Sequence, residues 1–525
     1  MIDALLDRLS ALDVRLAAGP GGVLRYDAPR TALTDELLAE LRHHKRELLD
    51  RLTGAEVIDR APVSDQQARM IAGHHAVPHS EVWNIPTRIS FTGALDPEAL
   101  RSALTELTAR HHALHTRFVR AGERTGDNTG AGETGAGTWW QEVVVPPPLD
   151  LPVEDLTGLP AAEREDRFEE LCRETAGGGF DLTRPVLPRL RLLRVAEDRW
   201  ALMFVLHHIC ADGWSLSLLL AEIAELYTAA AAGVPHTLAP PGAQSTDYAR
   251  RQLAHHDPET EARRAAYCAA YLDGVPSGVP VPTDRPRPER LSGRGDTVRG
   301  LASGEVRAAV EEFAAARHTT PFAVAATALG VFLAGLSGER DILLSVPYAN
   351  RQGTAFESLV AMTSTAVMVR VRIDPDESRA ALVTRTGEGA MGAMAHVLPT
   401  ARIMRAMREA GARDVPDRVP HILAFQNSLD TDIEIPGLRV EVEDLAPPLS
   451  RSELCFGLAP CRDRVRGYRT FLEYSADLWN RGTAEDLLSS YAALLAEFCA
   501  FPDRPVSDLL PTGPIPPTTG KADAV

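Results

Sequence analysis

The sequence has no Cys-x-x-Cys pair. Its six cysteines (Cys172, Cys210, Cys268, Cys455, Cys461 and Cys499) fall at irregular intervals along 525 residues. That argues against a disulfide framework or a zinc ribbon and fits reduced thiols in the cytoplasm. Also missing is any uninterrupted apolar run of about 20 residues, so no membrane span is expected. The N-terminus carries Asp3 and Asp7 where a signal peptide would be basic. Basic residues are in deficit: 55 Lys+Arg stand against 72 Asp+Glu, a net charge of −17. Such a balance disfavours attraction to nucleic-acid phosphates or anionic lipid, and neither is expected as a partner. What is there is ordinary for a globular protein, with 45% hydrophobic and 24% charged residues. The length calls for two or three domains.

Residues 1–55 form a first unit. Leu5, Leu6, Leu9 and Leu12 recur at helical spacing. Two short apolar stretches around Leu16 and Leu24 flank a Gly-Pro-Gly-Gly turn, as in a hairpin. A second helix follows, with Thr34 as its N-cap and an apolar stripe from Leu37 to Leu52. From Val63 strands alternate with long Ala/Leu helices, the texture of an α/β body. Gly122 to Gly137 reads as a surface loop, Pro235 to Gln244 and Pro276 to Arg294 as connecting stretches, and residues 511–525 as a tail too poor in apolar side chains to fold.

Chemistry concentrates in one place. A hairpin from Leu187 to Leu206 runs into His207-His208-Ile209-Cys210-Ala211-Asp212-Gly213-Trp214-Ser215, and Leu216, Leu219, Leu220, Ile223, Leu226 and Tyr227 then mark a buried helix. A polar cluster pinned between two rigid elements suits a catalytic base. Neighbouring residues on a strand point to opposite sides, so one histidine is structural and the other free for chemistry. Asp212 suits a turn or an arginine partner, and Ser215 suits a helix cap rather than a nucleophile. The adjacent histidines lack the i, i+4 spacing of a zinc helix and no third ligand is apparent, so no metal is expected.

His-His-x-x-x-Asp-Gly at 207–213 is the signature of condensation domains in nonribosomal peptide synthetases, and the chain after residue 60 resembles that family throughout. Ser64 to Arg69 is similar to the first family motif and Arg110 to Phe118 to the second. Thr246 to Ala249 is similar to the fourth, Pro282 to Pro288 to the inter-lobe stretch, and Val346 to Arg351 to the approach to the fifth. His112, His115 and the run Met362 to Thr365 depart from the family pattern. The first unit resembles the TubC-type N-terminal docking domain of megasynthases.

The resemblance implies two chloramphenicol-acetyltransferase-like lobes, residues 62–240 and 241–510, in a V around a central tunnel, behind a small α/β docking domain. It implies His208 as the catalytic histidine, with Gly213 letting backbone approach the reacting carbonyl, and His207 as structural. Asp212 would pair with Arg351. Trp214, Ser364, Gln426 and Asn427 are expected near the tunnel. Arg15, Arg25 and Arg30 would recognise an acidic peptide of an upstream chain. The implied reaction joins a carrier-bound acyl thioester, presented on 4'-phosphopantetheine, to an amine that is free or held on an acceptor carrier; no cofactor is expected on the chain itself. An epimerisation domain, a coenzyme-A-dependent acyltransferase, an ester-forming enzyme and a catalytically silent recruitment domain remain as rivals. The chain contains no Gly-Gly-x-Ser carrier motif, so it is expected either to work with other chains or to be a piece of a longer one.

Overall fold

A computed structural model describes the chain except for residues 1–4, 7, 10, 11, 13, 20–22, 30, 31, 46, 47, 49–55, 78, 121–138, 256, 277, 352, 413–418, 427–432 and 511–525. The expectations for Arg30, Asn427, the loop from Gly122 and the C-terminal tail therefore lie outside the described residues.

In the N-terminal unit, β1 (Arg15–Gly19) and β2 (Val23–Asp27) pair antiparallel, Arg15 opposite Asp27. Helix α1 (Asp35–His43) starts where the Thr34 hydroxyl accepts the Leu37 N–H at 3.2 Å. Leu5, Leu9, Val14, Leu37, Leu41 and Leu48 close a small core of their own. So small a core offers marginal stability.

The main body begins with β3 (Val57–Pro62), α2 (Asp65–Ala76), β4 (Asn84–Thr92), α3 (Pro97–Arg110), β5 (Thr116–Arg120), β6 (Trp139–Val144), β7 (Val153–Asp155), α4 (Ala161–Ala176), β8 (Arg189–Ala196), β9 (Arg199–His207), α5 (Gly213–Ala232), α6 (Ser245–Ala254) and α7 (Pro258–Tyr271). It continues with β10 (Gly295–Ala302), α8 (Gly304–Ala316), α9 (Pro321–Ser337), β11 (Asp341–Tyr348), β12 (Thr365–Arg372), α10 (Arg379–Ala395), α11 (Thr400–Glu409), β13 (His421–Phe425), β14 (Arg439–Asp444), β15 (Leu454–Pro460), β16 (Tyr468–Ser475) and α12 (Arg481–Ala500).

Three sheets organise these elements, with strand orders β14-β4-β9-β8-β7, β10-β16-β15-β13-β11-β12 and β3-β6-β5. β9 lies inside the five-stranded sheet and is buried on both faces. Leu202, Phe204 and Leu206 enter one core with α3 and α5, while Ala201, Met203 and Val205 enter another with Phe168, Leu171 and Cys172 of α4. That alternation is the two-residue period of a strand covered on both sides. The second large core gathers around α9, whose residues from Ala323 to Ala334 are all buried. Gly330 permits the close approach of α9 to β12, since a Cβ there would meet Val371 at 2.6 Å.

Contacts cross the division expected at residue 240. α6 packs on β3, where Asp59 pairs with Arg250 and accepts the Thr246 hydroxyl at 2.6 Å. β14 returns from the C-terminal half to pair antiparallel with β4, Val442 opposite Ile89, and Val360, Met362 and Ile435 join the core around α5. The two halves are thus fastened beside the signature.

By length and composition alone α5 would reach across a bilayer. It is instead a core helix, with Leu216, Leu219, Leu220, Ile223 and Leu226 buried and Glu222 receiving Arg110 at 3.0 Å.

Candidate active site

The signature turn follows the end of β9, where His207 stands opposite Asn84 and is fully buried. Its parity with Met203 and Val205 sends the ring to the α4 side of the sheet, edge-on to Phe180 at 5.7 Å. The Ile209 N–H donates to Nδ1 of His207 at 3.0 Å, and the Cys210 N–H donates to its carbonyl at 2.9 Å, closing the turn. Burial, with His74 and His208 adding to it, pushes the His207 pKa well below its ordinary value. The ring is therefore neutral at physiological pH.

His208 follows directly after the last residue of β9. Its N–H donates to the Trp83 carbonyl at 2.8 Å, its ring is half-buried, and Nδ1 has no hydrogen-bond partner among the described residues. Its pKa is pushed down to about 4, first by burial and then by the positive charge of Arg451, with Arg69 adding to it and Asp212 opposing. The ordinary value of about 6.5 is thus not retained.

Asp212 starts α5. Its Oδ1 accepts the Ser215 N–H at 2.9 Å, so the cap is Asp212 and Ser215 lies inside the first turn, not at the capping position expected for it. Arg351 Nη2 donates to the same oxygen at 2.8 Å and to Ser215 Oγ at 2.9 Å. Oδ2 accepts the Thr363 hydroxyl at 2.9 Å, the Thr363 N–H at 3.3 Å and the Ser364 N–H at 3.2 Å. Burial pushes the Asp212 carboxyl up, but Arg351 and the Ser215 and Thr363 hydrogen bonds outweigh it and hold the group ionised below the ordinary carboxylate range. Arg351 also donates to the carbonyls of Phe356 and Leu359.

Among the remaining residues, Gly213 is the exposed first residue of α5. Trp214 donates its indole N–H to the Glu357 carbonyl at 2.7 Å and lines a groove of 590 Å³ between α5 and Ile433, Glu434 and Pro436, whose lining does not include His208. Ser364 meets the signature through its backbone, and its hydroxyl turns to Met362. Gln426 is half-buried just beyond β13, its N–H donating to Leu458 at 2.8 Å. His112 and His115 are remote in bonding from the turn. His115 donates Nδ1–H to the Val144 carbonyl at 2.6 Å, and the His112 N–H donates to Gln244. Among the described residues no three His, Cys, Asp or Glu side chains are placed to hold a metal ion.

Two contributors were not singled out in the sequence. The guanidinium pKa of Arg69 is lowered, first by burial and then by Arg451. Its helix is fixed by a reciprocal cap, Ser64 Oγ accepting the Gln67 N–H and Gln67 Oε1 accepting the Ser64 N–H. Arg451, anchored by its own N–H on Glu473 at 2.9 Å, comes from the other half of the chain. Arg69 stood inside a recognised motif; nothing local marks Arg451.

The family model described as Condensation domain matches residues 57–513, and that described as TubC N-terminal docking domain matches residues 2–53. The chain belongs to the condensation-domain family and carries a TubC-type docking domain ahead of it. It is 28% identical over 491 residues to a probable non-canonical nonribosomal peptide synthetase of Salinispora arenicola, covering 92% of this chain and 6% of that protein. It is 28% identical over 475 residues to a dimodular nonribosomal peptide synthase of Bacillus subtilis, covering 87% and 19%. The chain thus spans less than a fifth of either relative's length. Among solved structures, the first condensation domain of the calcium-dependent antibiotic synthetase, in complex with a substrate analogue, superposes with a TM-score of 0.69 at 21% identity, covering 86% of this chain and 99% of that one. The X-domain from teicoplanin biosynthesis gives 0.70 at 23%, covering 86% and 98%. These likenesses show the fold, two chloramphenicol-acetyltransferase-like lobes.

Proposed function

We propose that the chain is the amide-forming condensation enzyme of a nonribosomal peptide pathway. The acceptor amine attacks the acyl carbon of a thioester carried on 4'-phosphopantetheine; the C–N bond forms, the C–S bond breaks, and the proton lost by nitrogen leaves with the thiol. The observation that carries this reading is the half-buried, neutral His208 held beside the Asp212–Arg351 pair at the junction of the two halves.

A histidine with a pKa of about 4 is a weak base. An α-ammonium group titrates near 8, so taking its proton outright would cost about 5 kcal/mol. His208 acts instead by accepting a hydrogen bond from an amine that is already neutral, aiming its lone pair at the carbonyl. As nitrogen becomes positive in the tetrahedral intermediate, the same imidazole accepts a hydrogen bond from it while the proton passes to the departing sulfur. Arg451 and Arg69 bring positive charge to this space, which favours the oxyanion. Gly213 is the position where backbone approaches the thioester.

The N-terminal unit docks an upstream chain through its hairpin, with Arg15 and Arg25, and Arg30 beyond them, selecting acidic side chains. The acceptor is an amine on a carrier protein or in free solution. Six buried, unpaired thiols fit a cytoplasmic site of action.

Incubating the chain with acyl-loaded carrier proteins and amine acceptors, read by intact-protein mass, tests the reading. Loss of the acyl mass from the donor with an equal gain on the acceptor supports it. Transfer from coenzyme A thioesters alone, or inversion of a stereocentre without transfer, overturns it.

A further inference from the structure

We infer that His74 is a positioning residue for the signature turn: as a neutral hydrogen-bond acceptor it fixes His207 in one tautomer, and through His207 the turn that carries His208 and Asp212. This rests on the reading of His208 given above.

His207 has two ring nitrogens, both engaged. Nδ1 accepts the Ile209 N–H at 3.0 Å and so carries no proton. A neutral imidazole must then hold its proton on Nε2. Nε2 lies 3.3 Å from His74 Nδ1, with the two ring centroids 5.3 Å apart. The direction of that bond follows: His207 donates and His74 accepts, leaving the His74 proton on Nε2. The opposite direction would strip both nitrogens of His207 and is excluded near neutrality. His74 belongs to α2, on which Arg69 also lies, so one helix from an early part of the chain both adds charge beside His208 and fixes the ring before it.

Protonation of His74 breaks this arrangement, because an imidazolium carries Nδ1–H and would face the His207 Nε2–H donor to donor. Either the bond opens or His207 changes tautomer and loses the Ile209 N–H; both loosen the turn. The charged and titratable groups around the pair are His75 on the same helix, His208 next to His207, and Asp181 between α4 and β8, with Arg189 of β8 over the Phe180 ring. Burial and His75 lower the His74 pKa while Asp181 raises it, the net direction being downward. His74 is therefore neutral at pH 7 and begins to protonate on the acid side.

The test compares His74→Leu, which removes the acceptor, with His74→Asn, whose amide oxygen stands close to the position of Nδ1 and does not protonate. In the full chain, condensation by His74→Leu is expected to fall about tenfold at pH 7. His74→Asn is expected to restore it to within about twofold, and to lack the additional fall in rate that His74 protonation gives the parent on the acid side of the amine's own titration. ¹⁵N imidazole spectra should show His207 protonated on Nε2 in both parent and His74→Asn. Parent-like turnover in His74→Leu, failure of His74→Asn to rescue, or the same additional acid-side fall in parent and His74→Asn overturns the inference. If the parent itself does not condense, the proposed function fails, and the spectra still decide: His207 protonated on Nδ1 would refute the positioning role.

Discussion

Arg351 and Asp212 are 139 residues apart in the sequence and 2.8 Å apart in the fold, each with 3% of its side chain exposed. The pair ties the start of α5 to the segment after β11 and so locks the two halves of the chain at the signature turn. Removing either partner strands a buried charge, at a cost of about 3–5 kcal/mol. Asp212→Ala and Arg351→Ala are expected to lose soluble yield and to melt well below the parent in thermal unfolding. A soluble Asp212→Ala protein with parental Tm would contradict the structural role of the pair.

His207 and His208 should separate under mutation. His207 is enclosed, with both ring nitrogens in hydrogen bonds, so His207→Ala opens a cavity in the α4 face and leaves the Ile209 N–H without its acceptor. The expected result is a fall in Tm of several degrees, about 1–3 kcal/mol, with the surviving folded protein retaining more activity than His208→Ala. Parental melting with abolished turnover would reverse the two roles.

Acid should destabilise the fold through histidines that are buried neutral. The pKa values of His115 and His421 are both pushed down to about 4, in each case chiefly by burial. Between about pH 6.5 and pH 4 the unfolded chain binds protons that the folded chain refuses, so stability falls as pH falls through that window, by up to about 3 kcal/mol for each group. Tm at pH 4.5 should lie clearly below Tm at pH 7, and His115→Gln should flatten the difference. An equal slope in the two proteins would remove His115 from the account.

Docking is tested at the hairpin. Arg25 is exposed on β2 of a sheet that has two strands among the described residues, and a sheet edge can take an added strand. Arg25→Glu is expected to weaken turnover with the full upstream synthetase at low concentration, and raised salt to do the same to the parent, because rim charges are screened over about 8–10 Å. Turnover with a small soluble donor mimic should not change. Equal loss with both donors would place the segment in the catalytic fold.

Much of this organisation was readable locally. The hairpin into His207 and the buried face of α5 announce themselves through apolar spacing, and Thr34 caps its helix as its position before the leucine stripe suggests. What the sequence concealed depends on distant partners. β14 pairs with β4 across some 350 residues (Glu443 to Arg88 is 355), and its alternation of valines with charges fits any half-exposed strand. The His74–His207 contact spans 133 residues, and no spacing rule links two histidines on a helix and a strand so far apart. Ser215 was expected to cap α5 because serine favours that position; Asp212, three residues earlier, takes it while also binding Arg351. The depressed pKa of His208 was hidden too, since it comes from burial and from Arg451, on the far side of the sequence.

In this mechanism His208 directs the amine onto the thioester. The most direct measurement is the single-turnover rate of His208→Ala with a loaded donor carrier and an amine acceptor, followed by intact-protein mass, beside its melting curve. The expected result is a rate at least about 100-fold below the parent with Tm unchanged within a few degrees. A rate within about twofold of the parent, less than about 0.5 kcal/mol in the barrier, would contradict it.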